Sequence, residues 1–167
     1  IPMPRLLSRL ILLLCLAAVP AGAQQDVQIS FGQSLRLEGS QLEVTADQLS
    51  VDQTTGATEF TGNVLAVQGE MRISAQALRL EYGEGARSGT QRISRLVASG
   101  GVTMATPTEA LEAREAVYSL DAQTLEMTGD VMLVQGTNLL SGERFVADLR
   151  AGTGRMVGRV RTIIRME

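Results

Sequence analysis

The sequence predicts an all-β protein assembled from internal repeats, and three observations carry that expectation. Apolar and polar residues alternate over short runs, as in Leu35-Arg36-Leu37-Glu38, Leu42-Glu43-Val44-Thr45 and Leu78-Arg79-Leu80-Glu81, the period-2 signature of strands with one buried face. Clusters of turn-forming residues punctuate these runs, at Asp52-Gln53-Thr54-Thr55-Gly56, at residues 83–89 and at Asp121-Ala122-Gln123-Thr124. Finally, TGNVLAVQG at residues 61–69 returns as TGDVMLVQG at residues 128–136, an offset of 67 residues. Duplication of this kind points to similar supersecondary units, each covering its neighbour's apolar face.

The chain opens on a targeting pattern. Arg5 and Arg9 precede an apolar run over residues 10–19, Pro20 interrupts it, and Ala21-Gly22-Ala23 supplies small residues where a signal peptidase cuts. The expectation is a cleaved signal peptide over residues 1–23, with the mature chain a single domain over residues 24–167. The competing reading, a retained anchor, needs about 20 apolar residues, twice what the run supplies. Cys15, the one cysteine, lies within it. The mature chain would then hold no thiol, which suits an oxidising compartment.

Past the leader the elements read as strands throughout. Residues 108–120 (TEALEAREAVYSL) have helical composition behind a threonine cap, but the 67-residue offset lays 113–120 over 46–53, a segment of strand composition, so two strands are expected there. The same offset pairs Glu59 with Glu126, Phe60 with Met127, Ile73 with Leu140 and Leu78 with Phe145. A weaker third copy is Ala98-Ser99-Gly100-Gly101-Val102-Thr103-Met104.

Parity assigns faces. Phe60, Gly62, Val64 and Ala66 share a side, matched by Met127, Gly129, Val131 and Leu133 and by Ala98, Gly100, Val102 and Met104. Glu59, Thr61 and Asn63 take the opposite, wet side, matched by Glu126, Thr128 and Asp130. Each repeat glycine then sits either at a mid-strand bulge where the sheet bends or in a hairpin turn.

Composition excludes much chemistry. The chain has no histidine, lysine or tryptophan, so a neutral-pH base, a Schiff-base lysine, His or Cys metal ligands and a mature cysteine nucleophile are all missing. Without residues 1–23 it would carry 13 arginines against 18 acids, a net charge of −5, which argues against general nucleic-acid binding. Asp47 with Asp52, or Glu109 with Glu112 and Glu115, are candidate acid–base or cation groups, but they are spread among arginines without metal-loop spacing and read as solvated face. No catalytic residue, metal ligand or cofactor site is expected.

What remains is an apolar interior. The inward set comprises Leu42, Val44, Leu49, Val51, Phe60, Val64, Met71, Ile73, Leu78, Leu80, Val102, Met104, Tyr118, Leu120, Met127, Val131, Leu133, Leu140, Phe145, Met156 and Val160. These side chains either fill a closed core or line a soft groove in which methionines give way to a ligand. Alternation on the last strand sets Arg159, Arg161 and Arg165 outward, opposite Val160 and Ile164, as an ordinary charged edge.

Residues 46–82 (ADQLSVDQTTGATEFTGNVLAVQGEMRISAQALRLEY) and their echo at 113–145 (AREAVYSLDAQTLEMTGDVMLVQGTNLLSGERF) resemble the LptA/OstA family of periplasmic lipopolysaccharide transport proteins. The doubled TG-[ND]-V-x-x-x-QG pattern carries the likeness, which spans nearly all of residues 24–167. It implies a twisted, open β-jellyroll of antiparallel strands with lipopolysaccharide acyl chains in its interior. It also implies head-to-tail stacking, through edge strands, between an LptC-like inner-membrane protein and an LptD-like outer-membrane translocon. The lipid-facing positions implied for this chain are Leu42, Val44, Val51, Phe60, Tyr118 and Leu120. A retained leader would point instead to a membrane-anchored LptC-like component, a dry interior to a structural β-solenoid, and a carboxylate pair in a cleft to a polysaccharide-active enzyme.

Overall fold

The structure, a computed structural model, describes residues 27–30, 41–83 and 92–165. The expected leader and the alternation at Leu35-Arg36-Leu37-Glu38 lie outside the described residues. Among those described there is no helix; the strands are β1 (Val27–Ser30), β2 (Glu43–Thr45), β3 (Gln48–Val51), β4 (Thr58–Gln68), β5 (Met71–Tyr82), β6 (Ile93–Ala105), β7 (Glu109–Ser119), β8 (Thr124–Gln135), β9 (Asn138–Asp148), β10 (Thr153–Val157) and β11 (Arg161–Ile163). They form one antiparallel sheet in the order β1-β10-β9-β8-β7-β6-β5-β4-β2, with β3 also on β4 and β11 also on β9. From β4 to β10 it is a meander of neighbouring strands.

The helix-like stretch at 108–120 is strand, as the repeat requires, but a single strand, β7, where two were expected. Ala and Glu favour helix only weakly; nine ladder pairs with β8 and a buried face from Leu111 to Tyr118 override them. A local irregularity takes the place of the expected turn: the register shifts between Glu112 and Glu115.

That irregularity recurs across the sheet. Relative to its partners, each of β4, β6 and β8 carries one extra residue between Thr61 and Val64, Ser99 and Val102, and Thr128 and Val131. Consecutive residues there have positive φ: Gly62 (79°) and Asn63 (46°), Gly100 (82°) and Gly101 (86°), Gly129 (85°) and Asp130 (50°). A fourth pair, Gly158 (79°) and Arg159 (38°), separates β10 from β11. The repeat glycines are therefore bulge glycines, while the second glycine of each motif, Gly69 or Gly136, opens a two-residue hairpin loop between Gln68 and Met71 or Gln135 and Asn138. One nine-residue motif thus encodes a corner and a turn.

Glycine is required at the corner because a side chain of a neighbouring segment lies over it. A Cβ on Gly62 would sit 2.5 Å from Asp47 Oδ2, one on Gly100 2.6 Å from Gln76 Cβ, one on Gly129 2.8 Å from Arg114 Cβ, and one on Gly158 2.6 Å from Glu143 Oε2. The covering side chain often holds the second corner residue as well: Asn63 Nδ2 donates to Asp47 Oδ2 at 2.8 Å, Arg114 pairs with Asp130, and Arg159 Nε lies 3.3 Å from Glu143. These pairs are exposed, worth at most about 1 kcal/mol each. They decorate the corner; the backbone bulge makes it.

At this line every long strand divides into two halves. Side chains from both halves of β5 (Met71 and Ile73 from one, Leu78 from the other) and of β6 (Met104; Leu96 and Ala98) line the same internal void, so the sheet is folded over and its two walls face each other. The core between them includes Leu111, Met127, Leu133 and Phe145, all fully buried.

Candidate functional site

The interior between the half-sheets is built from cross-strand rows, since directly paired residues of an antiparallel ladder share a face. One row runs Leu49, Phe60, Leu78, Ala98, Ala116, Met127, Phe145, Met156 across β3 to β10, and another runs Val44, Ala66, Ile73, Met104, Leu111, Leu133, Leu140 across β2 to β9. The rows belong to opposite halves, so closing the fold lays one against the other.

Most expected inward residues converge there. Val64, Met71, Ile73, Leu78, Leu80, Val102, Met104, Tyr118, Met127, Val131 and Phe145 are buried in one cluster, and Leu42, Val44, Phe60, Leu120 and Val160 pack against it half-buried. Val51 departs from the expectation. It and Leu49 belong to the inner face by register but are 58% and 60% exposed, because β3 is a four-residue edge strand that no described segment covers. Leu96, Leu111, Leu125 and Leu149 are buried members of the same cluster that sequence reasoning missed. Parity with Ala98 and Met127 would have found Leu96 and Leu125. Leu111 was hidden by the helix-like composition around it and Leu149 by its place in a loop.

The void is small. Met71, Ile73, Leu78, Leu96, Met104 and Tyr118 are among the residues enclosing only about 20 Å³, room for about one water. Among the described residues the interior is therefore closely packed, and a fatty chain enters this part of it only if the walls part.

The carboxylates divide by position. Asp52 caps its own turn, accepting from the backbone N–H groups of Thr54 (2.8 Å) and Thr55 (3.2 Å), bonds that hold its carboxyl below the ordinary value. Asp47 covers Gly62, and Glu112 and Glu115 are exposed on the outer face of β7. Glu109 corrects the solvated-face expectation: it is only 8% exposed. It has the parity of Leu111 and Ala113, whereas Glu112 has the opposite one, and the irregularity at the corner keeps Glu115 outside. Among the described residues no group of three acidic, His or Cys side chains could hold a metal ion.

Arg161 and Ile163 face outward on β11, paired with Ser141 and Leu139, while Arg159 turns at the corner and Arg165 is exposed. Beyond β2 and β3 on one side, and beyond β11 on the other, no described strand follows, whereas β1 covers β10.

An open antiparallel sheet folded along a line of bulges around an apolar interior defines an LptA-like jellyroll. Residues 43–153 match the family described as "LptA/(LptD N-terminal domain) LPS transport protein", and the chain belongs to that family, which is one of transport proteins and not of enzymes. The chain is 24% identical over 163 residues to "Uncharacterized protein R00383" of Rhizobium meliloti (strain 1021), covering 92% of this chain and 88% of that protein. Its fold is similar to the crystal structure of LptH, the LptA homologous periplasmic component of the lipopolysaccharide transport device from Pseudomonas aeruginosa. The TM-score is 0.66 at 14% identity, over 75% of this chain and 96% of that one.

Proposed function

We propose that this protein is a periplasmic lipopolysaccharide-binding bridge: it shields lipid A acyl chains between its half-sheets and passes lipopolysaccharide from the inner towards the outer membrane. Head-to-tail stacking with copies of itself, an LptC-like protein and an LptD-like translocon completes the path. The observation that carries the reading is an interior of aliphatic side chains and methionines enclosed by two walls of one sheet, in a chain of the lipopolysaccharide transport family. Hiding a fatty chain from water is worth about 0.8 kcal/mol per CH₂, so an aqueous gap is crossed only inside such a cover. The edges at β2, β3 and β11, which no further described strand covers, suit strand-to-strand stacking, since an open edge recruits another strand.

Photo-crosslinkers test the assignment. Placed at Phe60, on the inner row, a crosslinker is expected to capture lipopolysaccharide, while one at the adjacent Glu59, on the outer face, captures none. Equal capture at both positions refutes the interior as the binding site. The filled core favours a second reading, a structural roll with no lipid ligand, and capture at neither position would support it.

A further inference from the structure

Among the described residues, Glu109 is the buried carboxylate on the inner face, and the shielding role leaves its position unexplained. It is the first residue of β7, directly after the hairpin that Thr106 closes by donating its backbone N–H to Glu109 O at 2.8 Å. Register sets its side chain on the inner face with Leu111, opposite Gln135 of β8. Gln135 Nε2 donates to Oε1 at 2.8 Å. Oε2 is buried with no hydrogen-bond partner among the described residues.

Folded proteins rarely keep a buried acceptor unsatisfied, because its lost hydration is not returned. An apolar residue would serve a filled core better. The rung just inside, with Leu111 and Met104, is wholly apolar, and Met104 with Met71 lines the internal void. The carboxyl thus stands at the hairpin end of the interior, one inner-face position beyond the pair Leu111 and Met104.

We propose that Glu109 Oε2 is the polar anchor of the lumen, accepting a hydrogen bond from a hydroxyl or amide N–H carried close to the head of an acyl chain, while the chain itself lies between Met71, Met104 and the opposite wall. The ligand class is an acyl amphiphile with a donor a few bonds from the start of its tail, as distinct from a plain fatty chain. This rests on the shielding function proposed above and adds a basis for selection among lipids to it. Burial raises the Glu109 carboxyl above its ordinary value, opposed by the Gln135 hydrogen bond.

Two neutral probes that differ by one hydroxyl test the anchor: methyl β-hydroxymyristate and methyl myristate, delivered from cyclodextrin to the full chain, with binding read by displacement of a fluorescent fatty probe. The wild-type protein is expected to prefer the hydroxylated ester by about tenfold or more, the size of one hydrogen bond to a carboxyl group. Glu109→Leu should bind both esters alike, and Glu109→Gln, which keeps a carbonyl acceptor, should retain part of the preference. A wild-type protein that binds both esters equally overturns the anchor while leaving the shielding function standing, and that comparison needs no variant to fold. Preference undiminished in Glu109→Leu also overturns it. Binding of neither ester removes both the anchor and the shielding function.

Discussion

The corner predicts opposite fates for two neighbouring glycines. Gly100 and Gly101 have nearly the same φ, +82° and +86°, so alanine at either position meets the same left-handed penalty of about 1–2 kcal/mol. Their surroundings differ. A Cβ on Gly101 meets nothing within 4 Å, whereas one on Gly100 falls 2.6 Å from Gln76 Cβ and 3.1 Å from its Cγ. The obstacle is the root of a side chain on β5, so rotating Gln76 does not clear it and the strands must separate, an overpacking cost of about 1–3 kcal/mol. Gly101→Ala should therefore lose about 1–2 kcal/mol and Gly100→Ala about 2–5 kcal/mol. At roughly 3 °C per kcal/mol for a chain of this size, Tm falls by about 4 °C in the first and about 10 °C in the second. Far-UV circular dichroism during urea and thermal unfolding measures both. The clash also predicts a coupling: Gln76→Gly should recover part of the Gly100→Ala loss, while Gln76→Ala, which keeps the offending Cβ, should not. Equal losses at the two glycines, or rescue by Gln76→Ala, would refute the close approach of strands as the reason for the bulge.

Two further outcomes follow from burial. Phe145→Ala removes a fully buried ring of the long cross-strand row, on β9, and should cost about 3–5 kcal/mol, read as a fall in the urea midpoint; a loss under 1 kcal/mol would mean that the walls are not packed through it. Glu109 binds its proton more tightly folded than unfolded, so its contribution is fully present below the unfolded carboxylate range and is lost as pH rises through the raised folded value. Glu109→Gln should consequently gain on the wild type in urea melts as pH is raised across that interval, and a pH-independent difference would contradict the burial of this carboxyl.

The interior was legible because a duplicated motif fixed parity independently of propensity. With Phe60 laid over Met127 and Val64 over Val131, the inner face of β4 and β8 followed, and the extra bulge residue preserved alternation along those strands. On β5, β7 and β9 the inward sequence instead skips a residue at the corner, from Ala75 to Leu78, Ala113 to Ala116 and Gly142 to Phe145. A residue near that skip cannot be assigned by counting in twos. Counting in twos separates Glu109, which shares the parity of Leu111, from Glu112, and only Glu115, which stays on the outer side with Glu112, owes its place to the skip. Val51 shows the converse limit: parity gives the direction of a side chain, but exposure depends on what the third dimension brings over it. The fourth corner, Gly158-Arg159, escaped notice because arginine replaces the Asn, Gly or Asp that favours left-handed backbone.

The filled core and the proposed cargo are compatible once the empty state is costed. A permanently open apolar lumen of ligand size, about 300 Å³, would destabilise the protein by about 7 kcal/mol at about 24 cal/mol per Å³ of void, a large part of the stability of an ordinary domain. A carrier that spends part of its cycle unloaded is better served by walls that close on each other, with Met71 and Met104 filling what the tail vacates. Closure also moderates affinity, because each incoming CH₂ replaces protein–protein contact as well as water, so the net gain per group falls below the full transfer value of about 0.8 kcal/mol. Moderate retention at every stage is what a relay requires, since cargo held at full transfer strength would not leave for the next copy. Under the proposed role, the line of bulges is where such opening would act: both half-sheets share their strands there, and its glycines tolerate a wider range of backbone angles than the residues of the flanking ladders.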